Sequence, residues 1–184
     1  KAIMKEIFFF FYIPQGRYVV FNKKETKNID KVVHNVIPLG LPLFVKPANA
    51  GSSLGISKVK NLDDLENAIK FALRYDNKIV IEEELVGREL EIGILGYNEL
   101  SFSAVGEVST TNNFYDYTAK YNDETVTKID IPANVPDSVR FEMIKIASDV
   151  CRSLNCFGLS RIDFFWNEEN NQFYVNEINT IPGF

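Results

Sequence analysis

Apolar residues recur at helical spacing in three places along the chain. Between Ser138 and Leu154 they fall at Val139, Met143, Ile146, Ala147 and Val150, which predicts a helix with one buried side, started by Pro136 and Asp137. A second stripe, Leu62, Leu65, Ala68, Ile69, Ala72 and Leu73, predicts a helix that Asn61 or Asp63 can cap. Ile29, Val32, Val33 and Val36 give a third, running up to Pro38 and Gly40. Residues 1 to 12 read as a helix that ends before Pro14, whose ring disfavours helical geometry at Ile13. Between these stripes lie β-branched, aromatic or alternating runs: Arg17 to Phe21, Leu43 to Lys46, Ile56 to Val59, Lys78 to Glu83, Glu89 to Leu95 and Ser101 to Val108. Residues 109 to 128 are polar, aromatic and irregular, long enough for a functional loop. There is no internal repeat and no low-complexity tract.

The last stretch carries the most chemistry. Leu159 to Trp166 and Gln172 to Asn176 have strand composition and are joined by the polar connector Asn167 to Asn171, so they read as a hairpin. Alternation puts Arg161 and Asp163 on one face and Ile162 and Phe164 on the other. With the turn centred near Asn170, Asp163 lies opposite Glu177, and Asn179 follows two residues on. Two carboxylates, a carboxamide oxygen and one guanidinium then converge. Oxygen ligands of this kind suit Mg²⁺ or Mn²⁺, usually held by one or two carboxylates together with substrate phosphates. The alternative is an ordinary charged hairpin face. Without a cation the two acids would repel and one pKa would rise, unless Arg161 compensated both.

Composition narrows the class. The 184 residues, 46% hydrophobic and 24% charged, suffice for one domain or two small ones of a soluble globular protein. A net charge of -5 with no basic stripe argues against a general nucleic-acid binder, and Lys23, Lys24 and Lys27, broken by Glu25, read as a solvated loop. His34 has no second histidine or cysteine partner at ligand spacing, so it is a surface or core residue. Cys151 and Cys156 lie near the end of a predicted helix and read as buried thiols in a reducing compartment. The apolar run Ile7 to Ile13 is far shorter than the roughly 20 residues of a membrane span. It also lacks a signal-peptide cleavage site and reads as a core-facing helix end. The chain opens without an initiator Met and stops on Phe184 straight after Pro-Gly, so it reads as a segment of a longer protein.

Lys46 to Gly55 (KPANAGSSLG) sits between two strands, so it is a hairpin connection and not a strand-to-helix phosphate loop; it lacks the Gly-Lys-Ser/Thr ending of a P-loop and the dinucleotide fingerprint. Its backbone N–H groups can still wrap an anion. Lys46, at the strand end, is either a phosphate partner or a plain surface lysine. Glu82 to Glu89 links the two halves of the chain, where a carboxylate could accept hydrogen bonds from ribose hydroxyls. Lys120 and Tyr121 lie in the long loop, where an amine could reach a phosphate on closure.

In combination these segments closely resemble the D-alanine:D-alanine ligases of the ATP-grasp superfamily. The resemblance covers nearly the whole chain: Lys46-Pro-Ala-Asn-Ala-Gly-Ser-Ser-Leu-Gly-Ile-Ser, Glu82 with Glu89, Phe114-Tyr-Asp-Tyr-Thr-Ala-Lys-Tyr121, Gly158-Leu-Ser-Arg-Ile-Asp163 and Asn176-Glu-Ile-Asn-Thr-Ile-Pro-Gly-Phe184. It implies an α+β ATP-grasp fold in which two α+β subdomains, 1–81 and 82–184, clasp ATP with antiparallel sheets. It also implies an ADP-forming ligase that makes D-alanyl-D-alanine for peptidoglycan precursors in the bacterial cytoplasm, with D-alanine and ATP as substrates and no nucleic-acid or membrane partner. The resemblance admits a homodimer of the full-length protein.

Residue by residue, the resemblance has Lys1 and Lys46 on the nucleotide phosphates, Glu82 on the adenine amino group and Glu89 on the ribose. Ser52 and Ser53 cover the phosphates and the reacting substrate, Lys120 holds the γ-phosphate, and Tyr121 orients Ser52. Asp163, Glu177 and Asn179 bind two Mg²⁺ ions, or Mn²⁺, with Glu177 bridging, while Arg161 and the Gly183 N–H stabilise the developing oxyanion. Family members carry an amino-terminal substrate domain and a serine-containing tail beyond the Pro-Gly step. Both are missing from this sequence, which on that ground is expected to bind ATP weakly and make no dipeptide alone. The absence of a histidine from the long loop sets aside D-lactate as second substrate more readily than D-serine. A non-catalytic nucleotide-binding module and an ATP-grasp ligase for another carboxylate and amine are the remaining alternatives.

Overall fold

The computed structural model describes residues 1–110 and 127–182, and in them the chain is an α+β protein of two antiparallel sheets and four helices. Helix α1 is Ala2–Phe10, followed by strand β1 (Tyr18–Asn22), helix α2 (Ile29–Val36), β2 (Leu43–Pro47), β3 (Ser57–Val59), helix α3 (Leu65–Ala72) and β4 (Lys78–Glu83). Then come β5 (Arg88–Gly96), β6 (Leu100–Thr110), β7 (Thr127–Asp130), helix α4 (Asp137–Ser153), β8 (Gly158–Asn167) and β9 (Gln172–Asn179). No helix among the described residues is long and apolar enough to cross a membrane.

The described residues form two compact units, one of residues 1–2 and 16–84, the other of 3–15, 85–110 and 127–182. The first unit holds a four-stranded sheet in the order β1-β4-β2-β3. Alternation divides its residues cleanly. Phe21, Leu43, Val45, Val59, Ile79 and Ile81 pack with Val32 and Val36 of α2 and Leu65, Ala68, Ile69 and Ala72 of α3. The intervening positions, Phe44, Lys46, Lys58, Val80 and Glu82, fall on the opposite face. Asn28 starts α2 by accepting a hydrogen bond from the Lys31 N–H at 3.0 Å, a side-chain cap for one of the orphan donors.

The second unit is a five-stranded sheet, β7-β6-β5-β8-β9. Leu90, Ile92 and Ile94 of β5, Ile162, Phe164 and Trp166 of β8, and Phe173 and Val175 of β9 meet the predicted stripe of α4, all of it buried. Phe8 of α1 joins this core, but the expectation of a core-facing run from Ile7 to Ile13 is corrected. Only Phe8 and Ile13 are buried; Phe9, Phe10, Phe11 and Tyr12 are exposed. The reason is helical period: the buried positions of α1 are Ala2, Lys5 and Phe8, one per turn, and the phenylalanines after Phe8 point around the other sides. Tyr12 then turns the chain with a left-handed φ of 57°. Cys151 is buried as expected and Cys156 only half-buried; both are free thiols. His34 is exposed.

Candidate functional site

The face of the five-stranded sheet away from α4 carries the acids. Glu89 and Glu91 occupy alternate positions on β5, and Glu91 pairs with Asp163 of β8. Asp163 in turn pairs with Glu177 of β9. That last pairing depends on an irregularity in the ladder. Asn167 pairs with Gln172 and Phe164 with Val175, but past Phe164 the register shifts by one residue, so that Glu177 and not Asn176 faces Asp163. Strict alternation from Phe173 and Val175 would have sent residue 177 into the core. The extra residue, Asn176, instead returns Ile178 to the core side and turns Glu177 and Asn179 to the acidic face.

Arg161 organises this face. Its Nε donates to Asp163 Oδ1 at 2.7 Å and its Nη2 to Oδ2 at 2.9 Å, a bidentate pair. The same Nε lies 3.1 Å from Glu91 Oε2, and Asn179 Nδ2 donates to Asp163 Oδ2 at 2.9 Å. Asp163 is 7% exposed. Burial pushes its carboxyl pKa up, Arg161 and Asn179 pull it down, and Glu177 adds a smaller upward push. The Arg161 guanidinium is held cationic chiefly by its hydrogen bonds to Asp163. Glu91 was visible in the sequence only as one beat of an alternating strand; its role against Arg161 depends on β5 lying beside β8, which spacing along the chain does not encode.

In the first unit, Lys46 Nζ stands 2.9 Å from Glu82 Oε1. Phe44 lies under two ammonium groups, those of Lys46 and Lys58, each 5.7 Å from its ring centroid, and Lys58 also pairs with Glu84. The 47–55 connection joins two antiparallel neighbours, β2 and β3, as a hairpin loop. Lys1 Nζ donates to the Ala50 carbonyl in it at 2.8 Å. Ser52 and Ser53 both take left-handed backbone, φ 50° and 59°, a conformation that costs roughly 1–3 kcal/mol at a residue with a side chain and is found preferentially at ligand clamps. Gly55, at φ +76°, is required: a Cβ there would lie 2.5 Å from Tyr75 and 2.7 Å from Pro47.

Lys1, Lys46, Ser52, Ser53 and Glu82 thus share the first unit, and Glu89, Arg161, Asp163, Glu177 and Asn179 the second. Lys120, Tyr121 and Gly183 lie outside the described residues. Among the described residues no group of three or more acids, histidines or cysteines is gathered as a ready metal cage. The donor set nevertheless fits a hard divalent ion in kind. Mg²⁺ takes one or two protein carboxylates and completes its shell with water and phosphate, and Asp163 with Glu177 offers such a pair.

The family model described as D-ala D-ala ligase C-terminus matches residues 8–184. A D-alanine--D-alanine ligase of Geobacillus thermodenitrificans is 47% identical over 187 residues, covering 100% of this chain and 50% of that protein. One from Prochlorococcus marinus (strain MIT 9312) is 44% identical over 188 residues, covering 100% and 52%. The chain therefore spans about half the length of the curated relatives it matches. Among solved structures, the VanG D-Ala:D-Ser ligase from Enterococcus faecalis superposes with TM-score 0.87 at 32% identity, covering 100% of this chain and 52% of that one. D-alanyl-alanine synthetase A from Vibrio cholerae gives 0.85 at 32%, covering 100% and 55%.

Proposed function

The chain belongs to the D-alanine:D-alanine ligase C-terminal family, and from that premise we propose that it is the ATP-using part of a ligase that joins two D-alanine molecules for peptidoglycan precursors. The observation that carries this reading is the in-register pair Asp163 and Glu177 with Arg161 locked onto Asp163. A carboxylate is a poor acyl donor. Phosphoryl transfer from ATP to the carboxylate of the first D-alanine gives an acyl phosphate and ADP; the amine of the second then attacks the carbonyl carbon, and phosphate leaves with the C–O bond electrons. Both steps gather negative charge on phosphoryl or tetrahedral oxygens, which preorganised donors stabilise.

In this proposal Asp163, Glu177 and Asn179 hold two divalent cations, Mg²⁺ or Mn²⁺, which when bound neutralise charge on the transferring phosphoryl group. Arg161, with the Gly183 N–H, receives the oxyanion. Lys1, Lys46 and Lys120 take the phosphates, and Ser52 and Ser53 cover them and exclude water, Ser52 being oriented by Tyr121. Glu82 accepts from the adenine amino group, and Glu89 from the ribose. The pairing of Lys46 with Glu82 supports a shared nucleotide role for those two. The likeness to a D-Ala:D-Ser ligase, at 32% identity against 47% for a D-alanine--D-alanine ligase, keeps D-serine as the second reading for the attacking substrate.

The test uses the full-length parent protein with ATP, Mg²⁺ and D-alanine, alone and with equimolar D-serine, reading ADP and product mass. Dipeptide from D-alanine alone, abolished in Glu177→Gln, is expected. Predominant D-alanyl-D-serine selects the second reading. ADP without dipeptide, or a Glu177→Gln variant as fast as the wild type, removes the proposal.

A further inference from the structure

Helix α4 ends in a hydrogen-bonded turn built around two cysteines. The Cys156 N–H donates to the Cys151 carbonyl at 2.9 Å and the Asn155 N–H to the Arg152 carbonyl at 3.2 Å. Asn155 has left-handed backbone at φ 50°. These are the paired six-to-one and five-to-two bonds of a left-handed helix C-cap, a turn that folds the side chain after the left-handed residue back against the third-last helical residue. The usual content of that contact is two apolar side chains. Here the two positions are held by Cys156 and Cys151, both free thiols, Cys151 buried and Cys156 half-buried.

We propose that Cys151 and Cys156 are an oxidation site, a thiol pair that the α4 cap turn holds in position to close into a reversible disulfide. In agreement with this, the Cys156 thiol raises the Cys151 pKa, in addition to the larger effect of burial. The 2.9 Å backbone bond from residue 156 to residue 151 brings the two residues together across the turn, and a short approach is what a disulfide demands.

The chemistry runs from the accessible sulfur to the buried one. The Cys156 thiolate attacks one oxygen of a hydroperoxide, the O–O bond breaks, and hydroxide or alkoxide leaves, giving a sulfenic acid. The Cys151 sulfur, losing its proton, attacks the Cys156 sulfur; the S–O bond breaks and water leaves. Two thiols and one hydrogen peroxide become one disulfide and two waters, with two electrons passing to the peroxide. The proposal is independent of the ligase reading.

The folded chain is treated with hydrogen peroxide, quenched with N-ethylmaleimide and digested with trypsin, which cuts after Arg152 and so separates the two cysteines into peptides 146–152 and 153–161. The expected product is those two peptides joined, from monomeric protein, and separated again by dithiothreitol. In Cys151→Ser the reaction stops at a Cys156 sulfenic acid that dimedone traps; in Cys156→Ser the Cys151 thiol stays unmodified under the same treatment. Four results overturn the proposal: two maleimide-labelled thiols after treatment, a disulfide only between chains, Cys156 sulfinic acid forming as fast in the wild type as in Cys151→Ser, or a linked peptide seen only after unfolding in guanidinium chloride. The wild-type digest decides the matter even if a variant does not fold.

Discussion

Lys46, half-buried, and Glu82, buried, form an ion pair, Nζ to Oε1 2.9 Å, with side chains 15% and 5% exposed. Taking the Glu82 charge away leaves the Lys46 ammonium without this carboxylate. Glu82→Gln is expected to lower unfolding stability by about 3–5 kcal/mol, read as a lower urea midpoint at unchanged m-value. Lys46→Met added to Glu82→Gln should restore at least half of the loss, since neither charge then remains and a Met stem still packs on Phe44. A double variant no better than Glu82→Gln alone shows that the ion pair is not what Glu82 contributes.

Arg161 is fixed from two sides, by the bidentate bond to Asp163 and by Glu91 at 3.1 Å. In the full-length protein, Arg161→Lys keeps a charge but loses the planar fork, and kcat is expected to fall by about 10²–10³. Glu91→Gln keeps the bond to Asp163 and frees one side of the guanidinium. About a tenfold fall in kcat with little change in KM for ATP is expected, the signature of an interaction expressed in the transition state. An unchanged kcat in Glu91→Gln withdraws Glu91 as a positioning residue.

The strands and helices were legible because their signals are local. Lys78–Glu83 is a strand over the range its composition indicates, and the α4 stripe is buried residue for residue. Relationships between distant segments were not. β4 inserts between β1 and β2, which brings Glu82 to Lys46, and β5 pairs with β8, which brings Glu91 to Arg161. No periodicity records either pairing. The facing of Asp163 and Glu177 was read from a turn centred near Asn170, yet the ladder reaches it through a one-residue shift at Asn176. The roles of Lys1, Ser52 and Glu89 came from resemblance to a family, since a lysine, a serine and a glutamate carry no distinguishing pattern of their own.

The phenylalanine run separates composition from position. Phe8 is 0% exposed, whereas Phe9 and Phe10 are 76% and 75% exposed. Phe8→Ala is expected to destabilise by about 3–5 kcal/mol through lost burial and a residual cavity. Phe9→Ser and Phe10→Ser should each change stability by less than about 0.5 kcal/mol while reducing light scattering of concentrated protein, because an exposed aromatic cluster favours association. Urea unfolding of the three variants side by side checks this. Equal losses at residues 8 and 10 contradict the assignment of which ring faces the core.

Burial pushes the Cys151 thiol from an ordinary 9.0 up to about 11. The folded state therefore keeps this proton over a range in which the unfolded state has lost it, so the unfolded state binds fewer protons and stability falls as pH rises. The loss begins near the unfolded value and is complete above about 11, with an upper size on the order of 2–3 kcal/mol. Cys151→Ala lacks this proton and escapes the added alkaline loss. The measurement is the stability difference between wild type and Cys151→Ala, followed from pH 8 to pH 11 in reducing buffer: it should shift in favour of the variant as pH climbs, starting near 9.0. In Cys156→Ser the same titration should move down, because the neighbouring thiol that helps raise it is gone, while burial, the larger cause, keeps it above the ordinary value. A difference that stays flat over this range would mean that the Cys151 thiol ionises as readily in the folded protein as in the unfolded chain.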